Sequence, residues 1–432
     1  MQQQAAGPPQ ELIDAVLENL DPLEDRRSLQ QCALAARCLL PSAQRLLFHT
    51  LVLYEPTPMT RLHHVFETSP HLAKYVVKLG LILQPSHWPG ADSDWSGTPL
   101  PPIISRLATL EEVNIQTVWE YPAVPVSARQ LCTLLGGERT PKIRRLALHG
   151  IPFTDVHQIS SICKHFAAYG DLQDFYFSGT RTIDTTSASN MDSGPTASPS
   201  SPIVLRKMSV AHDAAIMAAF FAWAVSSDSC LRFHELRQLS VGELTEESLA
   251  SFARILDMCK GSLRYLHVQG SIPESLFAPF GNLRDLRTIS CFVPATQSPL
   301  LNAWCTTLKD HKELKLESFV VIIDSPMWRA LNVGSILLDQ FANYPWNLLE
   351  DALMDIAQCI RLEVQISQSR SERVTTNSLK DCFPRAHAEM RFELVVKQEL
   401  SAGRSAESTS WEYRSRSGVW KKTGSKRGPS IF

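Results

Sequence analysis

Histidine and cysteine are the residues of this chain whose chemistry could serve metal binding or nucleophilic catalysis. His63, His64 and His311 have no second ligand pair at zinc-site spacing, so we interpret them as exposed or core histidines. Cys32 and Cys38 fall among apolar residues on predicted helices, which favours packing. The sequence contains no glycine-rich nucleotide loop, no His-Glu-x-x-His and no Gly-x-Ser-x-Gly. We therefore predict a non-enzymatic protein with no metal or cofactor; an enzyme with an unfamiliar site has no positive support.

The composition agrees with a folded interaction protein. The chain has 432 residues, of which 44% are hydrophobic, and a formal net charge of −2. This length exceeds a usual single-domain core, so we expect two domains or an elongated repeat array. The balanced charge does not favour nucleic acid or an anionic membrane. The start of the chain lacks a signal-peptide pattern, and the longest apolar run, Ala214 to Val225, is too short for a membrane span. We expect an intracellular protein, cytoplasmic or nuclear, with no membrane partner.

Residues 8–53 indicate two or three short amphipathic helices followed by a strand. The first helix carries one broad apolar stripe at helical spacing, formed by Leu12, Ile13, Val16, Leu17 and Leu20. Ser28 to Gln31 is a capping-box pattern that opens a second helix. About 45 residues are marginal for an independent core, and the helices contain no catalytic constellation. We therefore interpret this stretch as a module built to bind.

The same stretch resembles the F-box, in the divergent form common in fungal proteins. The resemblance rests on Pro9-Gln-Glu-Leu-Ile13 with Val16-Leu17, on Cys32-Ala-Leu-Ala-Ala-Arg37, and on Leu40-Pro41 with Leu47-Phe48. It implies a helical module that docks a Skp-type adaptor and so joins a cullin-based ubiquitin ligase. The adaptor-binding residues that we predict are Pro9, Leu12, Ile13, Val16, Leu17 and Leu20. Two alternatives stay open: the same leucines could be internal, with the adaptor at the helix edges, or the module could be a helical cap that touches no adaptor.

Beyond residue 70, short apolar strands of the form Leu-x-x-Leu-x-Val recur every 23 to 33 residues. Eight of them begin at Leu110, Ile143, Leu172, Leu205, Leu236, Leu263, Leu286 and Leu316. An earlier strand at Leu72–Val77 and later strands near 359–364 and 392–396 are predicted to extend the series. Between strands, a helix capped by Thr245 carries Leu249, Phe252 and Leu256 on one face. Helix and strand in alternation predict an α/β fold, with a parallel sheet on one face and helices on the other.

This second pattern resembles an irregular leucine-rich-repeat horseshoe, which would occupy residues 54–400. By period-two alternation, the third and fifth residues of each motif are predicted to face the open, concave side. The substrate-binding residues that we predict there are Arg145, Asp174, Tyr176, Lys207, Gln238, Tyr265 and His267. The two tyrosines are the best anchors, although ordinary packing within the sheet would explain each of them. The alternative to a horseshoe is a plain α/β domain whose strands share only generic amphipathicity.

Two stretches are predicted to lie outside the folded body. Residues 182–202 are dense in Ser, Thr and Pro, which predicts a disordered insertion. Residues 401–432 are rich in Gly and Ser and locally basic, which predicts a disordered basic tail. The tail could contact nucleic acid, but its only paired basic residues are Lys421-Lys422 and Lys426-Arg427. Nucleic acid is therefore not an expected partner.

Taken together, the patterns predict a substrate-recognition adaptor of a cullin-based ubiquitin ligase. The helical module would bind the Skp-type adaptor, and the repeat domain would bind a substrate protein whose identity the sequence does not give. The chain would accelerate ubiquitin transfer by proximity, without a catalytic group of its own. The runner-up is a leucine-rich-repeat scaffold that binds protein partners and has no ubiquitin role.

Overall fold

The computed structural model describes residues 9–22, 25–53, 56–83, 100–117, 131–132, 142–151, 153, 155–169, 171–179, 202–269, 282–294, 299–324, 344–368, 382–402, 405–414 and 419–427. The chain divides into two compact units, Met1–Ile203 (unit 1) and Val204–Phe432 (unit 2). Each unit combines helices with a sheet whose strands run mainly parallel. The predicted α/β class is therefore confirmed.

Unit 1 begins with three short helices, which we call the helical module: α1 (Gln10–Leu17), α2 (Arg26–Ala35) and α3 (Leu40–His49). Their shared core contains four buried side chains, Ile13, Leu17, Leu29 and Ala43. Half-buried apolar residues, including Leu20 and Leu46, pack around these four. Because this core is small, the module depends on packing against the rest of unit 1, as between Phe48 of α3 and Phe66, whose ring centroids are 6.5 Å apart.

The rest of unit 1 is a five-stranded parallel sheet with helical connections. After the helical module, the elements are β1 (Thr50–Leu53), α4 (Pro56–Thr68), a 3-10 helix (Pro70–Tyr75), β2 (Lys78–Leu83), α5 (Leu100–Ile104), β3 (Glu112–Thr117), β4 (Arg145–His149), α6 (Val156–Tyr169) and β5 (Asp174–Ser178). The strands lie side by side in chain order, and each neighbouring pair is parallel. Helix α3 leads without a break into β1, so the helical module is directly joined to the sheet.

Unit 2 continues the same alternation and ends in a hairpin. Its elements follow a two-residue strand, β6 (Ile203–Val204), at the sequence boundary; they are β7 (Lys207–Ala211), α7 (Ala214–Ala224), β8 (Leu231–Arg232), β9 (Gln238–Val241), α8 (Glu246–Met258), β10 (Tyr265–Gln269), β11 (Thr288–Pro294), α9 (Pro299–Asp310), β12 (Ser318–Asp324), α10 (Trp346–Met354), β13 (Ile360–Gln368), α11 (Pro384–Ala388), β14 (Phe392–Ala402), β15 (Ser405–Arg414) and β16 (Val419–Arg427). The sheet order is β7-β9-β10-β11-β12-β13-β14-β15-β16. Pairing is parallel from β7 to β14, and β15 and β16 are antiparallel. None of the helices that the structure describes is both long and apolar enough to cross a membrane.

The strands form where the Leu-x-x-Leu-x-Val pattern places them. In all eight predicted motifs the strand starts at the third residue, as Glu112 does in the motif that begins at Leu110. The fourth and sixth residues, such as Val113 and Ile115, are buried. They face the helices, as the 5.8 Å ring separation between Trp304 of α9 and Phe319 of β12 illustrates. The later strands predicted near 359–364 and 392–396 are also present, as β13 and β14.

The helix predicted after Thr245 is confirmed as α8. At its start, Ser248 Oγ accepts a hydrogen bond from the Thr245 backbone N–H at 3.0 Å and donates one to the Thr245 carbonyl at 2.8 Å. Glu246 and Glu247 lie in the first turn, where a negative charge stabilises the positive end of the helix. Phe252 and Leu256 are buried, as the predicted apolar face requires.

The strand predicted at Leu72–Val77 is wrong. Residues Pro70–Tyr75 form a 3-10 helix, which the fixed φ of Pro70 favours in the first turn. The strand of this unit, β2, begins at Lys78. The Leu-x-x-Leu-x-Val spacing occurs four residues later than predicted, from Val76 to Leu81.

The prediction of a disordered tail is wrong for residues 405–414 and 419–427, which form β15 and β16. The edge of β14 offers its backbone groups to β15, which composition alone does not reveal. Acidic and basic residues also occupy paired register positions; these pairs are Glu393 with Arg414, Glu407 with Arg427, and Glu412 with Lys421.

The predicted module and repeat domain map onto elements of both units. Strand β1, which the sequence assigned to the module at 8–53, is the first strand of the unit 1 sheet. The predicted repeat domain at 54–400 falls into both units, with the division at Ile203. The predicted insertion at 182–202 lies outside the described residues except for Pro202.

Candidate functional site

The apolar stripe predicted on α1 divides into a buried and an exposed part. Ile13 and Leu17 are 7% and 3% exposed and belong to the core of the helical module. Leu12 and Val16, one turn apart on the neighbouring strip of the helix, are 60% and 68% exposed. Leu20 is half-buried against the module core, and Pro9 is exposed. Of the six predicted adaptor-binding residues, three are therefore at the surface and three are internal.

Polar side chains fix α1 against α3. The Ser42 hydroxyl donates to Asp14 Oδ1, and Gln10 Nε2 donates to Asp14 Oδ1 at 2.9 Å and to Ser42 Oγ at 3.2 Å. The hydrogen bond from Ser42, followed by that from Gln10, lowers the pKa of Asp14 below its ordinary value of 3.8. Directly after α1, Glu18 pairs with Arg45 at 2.9 Å. These contacts hold α1 in one orientation, with Leu12 and Val16 outward.

Two further exposed leucines of the helical module were not among the predicted site residues. Leu34, on the last turn of α2, is 88% exposed, and Leu40, at the start of α3, is 36% exposed. Leu40 lies two residues before Ser42, whose hydroxyl contacts α1, so the start of α3 is close to the start of α1. The exposure of Leu34 could have been predicted from the sequence, because helical periodicity places it away from the α2 face that carries Leu29 and Cys32.

The second candidate surface is the outer face of each sheet, meaning the side opposite the buried strand residues. On the outer face of unit 1, Arg145 Nη2 lies 3.0 Å from Asp174 Oδ2, and Arg145 Nη1 lies 3.3 Å from Glu112 Oε2. Lys78 Nζ extends this row, at 3.1 Å from Glu112 Oε2. The Tyr176 ring centroid is 6.0 Å from Arg145 Cζ, and burial followed by the Asp174 charge raises the pKa of Tyr176. The predicted residues Arg145, Asp174 and Tyr176 are thus brought together and bind one another.

The outer face of unit 2 places Lys207, Gln238 and Tyr265 in one register row across β7, β9 and β10. Gln238 is exposed, and Lys207 and Tyr265 are half-buried. Within the described residues, Lys207 has no ion pair and the Tyr265 hydroxyl has no hydrogen bond. Three predicted site residues are therefore adjacent here, with polar groups that are available to a partner.

His267 is the remaining predicted site residue, and it lies in the next row of the unit 2 outer face. Its Nδ1 is 3.0 Å from the hydroxyl of Ser290, its register partner on β11. Burial lowers the pKa of His267, an effect that the charge of Glu363 opposes. The imidazole is therefore neutral at physiological pH, and Ser290 fixes its orientation.

The histidines and cysteines that the sequence raised as possible chemical groups are dispersed. His63 and His64 both lie near Glu67, at 3.8 and 3.9 Å, and His311 pairs with Glu313 at 3.0 Å. No group of three metal-ligating side chains occurs in the part of the chain that the structure describes. Cys32 is half-buried against the core of the helical module, whereas Cys38, which was predicted to pack on a helix, is exposed in the turn before α3. The two surfaces described above therefore carry the functional argument.

No protein-family model matches the sequence, and no curated protein shows significant similarity to it.

Proposed function

We propose that this chain is a substrate-recognition adaptor of a cullin-based ubiquitin ligase. The helical module binds a Skp-type adaptor, and the outer faces of the sheets bind the substrate protein. The observation that carries the proposal is the division of α1: one strip of the helix packs inside the module, and the strip with Leu12 and Val16 is exposed. This arrangement supports the resemblance of residues 8–53 to the F-box.

Exposed apolar side chains on adjacent turns favour association with a partner. Burying a leucine or valine side chain contributes about 1.5–3 kcal/mol, so Leu12 and Val16 together can supply a substantial part of a binding free energy. Single exposed apolar residues are common on protein surfaces, but two at i and i+4 form a continuous strip. The exposed Pro9 precedes that strip, and Leu34 and Leu40 belong to the same small module.

Ubiquitin transfer in this proposal depends on distance and not on a catalytic group of the chain. The chain holds its substrate near the ubiquitin-charged enzyme, which raises the effective concentration of the reacting amine. The relevant chain properties are then two binding surfaces and a rigid connection to the sheet. The direct passage from α3 into β1 supports such a connection within unit 1.

The experiment is binding of a purified Skp-type adaptor to the full chain and to Leu12→Asp/Val16→Asp. A carboxylate at each position would have to be desolvated in the complex, so we expect the double variant to lose stoichiometric binding. Arg27→Asp is the matched control, because it changes the net charge by the same amount at an exposed site near the start of α2, where a carboxylate is tolerated.

The outcomes separate the surface from the core. Ile13→Asp/Leu17→Asp should lose binding through unfolding of the helical module, which circular dichroism would detect. Retained adaptor binding by Leu12→Asp/Val16→Asp would overturn the proposed docking strip. Failure of the parent chain to bind any Skp-type adaptor would overturn the ligase role.

The second candidate function is a repeat scaffold without a ubiquitin role. The observation that favours it is the packing of the helical module against the rest of unit 1. Phe48 of α3 lies 6.5 Å from Phe66 of α4, between ring centroids, as expected for a helical cap on the sheet. A scaffold would bind protein partners through the sheets and no Skp-type adaptor, so the same binding experiment decides between the two.

A further inference from the structure

In unit 2, an arginine directly precedes each of four neighbouring strands. Arg206, Arg237, Arg264 and Arg287 directly precede β7, β9, β10 and β11, which are neighbours in the sheet. All four are exposed, and each follows a buried leucine. Backbone N–H groups link them in order, from Arg237 to the Arg206 carbonyl at 2.8 Å, and from Arg264 and Arg287 to the preceding arginine at 2.9 Å each. Strands lie about 4.8 Å apart, so this arginine column is about 14 Å long.

The two ends of the arginine column are neutralised and its centre is not. Arg206 Nε lies 3.5 Å from Glu235 Oε2, and Arg287 Nη1 lies 2.8 Å from Glu317 Oε1. Arg237 and Arg264 have no acidic side chain within 4 Å in the part of the chain that the structure describes. Like charges at paired positions of a sheet repel each other, so the central pair brings the fold no electrostatic gain.

The corresponding position in unit 1 shows that the scaffold does not require arginine there. The residues that precede β2, β3, β4 and β5 are Val77, Glu111, Arg144 and Gln173. Arg144 Nη1 lies 3.6 Å from Glu111 Oε2, so the single arginine of this column is paired with its neighbour. The four consecutive arginines are therefore specific to unit 2.

We propose that Arg237 and Arg264 form the centre of a binding site for an acidic peptide segment. Guanidinium groups bind carboxylates through two parallel hydrogen bonds, which makes an adjacent pair selective for neighbouring acidic side chains. In an extended peptide, alternate side chains are about 6.8 Å apart, a spacing that two flexible arginines on neighbouring strands can follow.

The ends of the column favour a peptide over a nucleic acid. A phosphate backbone that ran past the central pair would approach Glu235 and Glu317, whose charges repel it. Strong nucleic-acid binding also requires many phosphate contacts along a continuous basic track. A peptide with two or three carboxylates is neutralised within the column itself. This site goes beyond the proposed function, because it would serve a scaffold as well as a ligase subunit.

Fluorescence polarisation of the full chain with a labelled peptide of alternating serine and glutamate tests the site. We expect the parent to prefer this peptide at least tenfold over its glutamine counterpart, and Arg237→Ala/Arg264→Ala to remove the preference. Arg237→Lys/Arg264→Lys should bind with intermediate affinity, because it keeps the charge but loses the paired hydrogen bonds. The control, Arg27→Ala/Arg144→Ala, removes two exposed arginines elsewhere and should bind as the parent does.

Equal binding of the glutamate and glutamine peptides would overturn the proposal, as would full binding by the central alanine variant. Equal weakening by the control would show that only net charge matters, which also overturns the site. If a single-stranded oligonucleotide binds more tightly and displaces the peptide, the ligand of this site is nucleic acid, and the proposed acidic peptide is wrong. Melting curves establish whether each variant folds. If the alanine variant does not fold, the binding of the lysine variant tests the proposal instead. Adaptor binding by the same preparations is scored separately, so failure of this site leaves the adaptor test intact.

Discussion

The two units use charge differently on similar sheets. In unit 1, Lys78, Glu112, Arg145 and Asp174 form one register row in which every neighbouring pair of opposite charges is within 3.3 Å. In unit 2, the corresponding row begins with Lys207, Gln238 and Tyr265, none of which has an ion pair among the described residues. The same strand pattern can therefore place charged side chains in ion pairs between neighbouring strands, or leave them available to a binding partner.

The arginines repeat this contrast at the start of the strands. Arg144 in unit 1 pairs with Glu111, whereas Arg237 and Arg264 in unit 2 are flanked by other arginines. Each exposed ion pair contributes about 0.2–1 kcal/mol, so the pairing in unit 1 is a modest stabilising contribution. The unpaired arginines in unit 2 have no such contribution to lose. Mutation of Arg145 in unit 1 should therefore affect stability, and mutation of Arg237 or Arg264 in unit 2 should affect binding.

The largest expected effect is that of Gly150→Ala in unit 1. Gly150 has φ = 68°, and a Cβ atom there would lie 2.6 Å from Thr117 Oγ1, which donates to the Gly150 carbonyl at 2.5 Å. Left-handed backbone strain and this contact should together lower the free energy of unfolding by about 2–4 kcal/mol.

Thermal melting checks this expectation, with Gly261→Ala in unit 2 as the control. A Cβ atom at Gly261 would meet no atom within 4 Å, so the melting temperature should stay within about two degrees of the parent. An equal drop for both variants would contradict the role of the Thr117 contact.

The next effect is that of Arg145→Ala, which breaks the row of ion pairs in unit 1. The change leaves Asp174 without its close cation and should lower the free energy of unfolding by about 1 kcal/mol. High salt screens the remaining charges and should reduce the difference. Arg264→Ala in unit 2 should change stability by less than about 0.5 kcal/mol. Chemical denaturation at low and high salt measures both; equal losses would contradict the contrast between the units.

A smaller, pH-dependent effect is expected for Asp14→Asn in the helical module. The pKa of Asp14 is lowered below 3.8 in the folded chain, so its carboxylate stabilises the fold above pH 3.8, and this contribution is lost as the pH falls through the folded pKa. The parent should therefore melt above the variant at neutral pH, and the two should converge in acid. A difference that persists at the lowest pH would mean that the asparagine variant is destabilised for a reason other than charge.

Much of the fold could be predicted because each strand depends on a local pattern. Burial of the fourth and sixth motif residues sets both the strand and its outer face, so alternation alone located β3 to β5 and most strands of unit 2. The prediction failed where the pattern was ambiguous, as at Leu72, four residues ahead of the true spacing. It failed in the tail because pairing with β14 is a non-local effect that composition does not encode.

The candidate site was predictable in part. Periodicity identified the apolar stripe of α1, but Ile13 and Leu12 are adjacent, and only the positions of α2 and α3 decide which of them is buried. Tyr176 and Tyr265 were equivalent in sequence, and the structure separates them because Tyr176 contacts Arg145. The arginine column was visible as a repeated Leu-Arg, but its meaning depends on which arginines find an acidic neighbour.

Reconstituted ubiquitin transfer tests most directly whether this chain connects a ligase to a target. The substrate would be a reporter protein fused to the serine–glutamate peptide, and the ligase would contain the full chain, a Skp-type adaptor and a cullin. The account predicts transfer with the parent chain and with Arg27→Asp, and loss of transfer with Leu12→Asp/Val16→Asp and with Arg237→Ala/Arg264→Ala. Transfer at the parental rate with the Leu12→Asp/Val16→Asp chain, or a parent that does not enter the ligase, would contradict it.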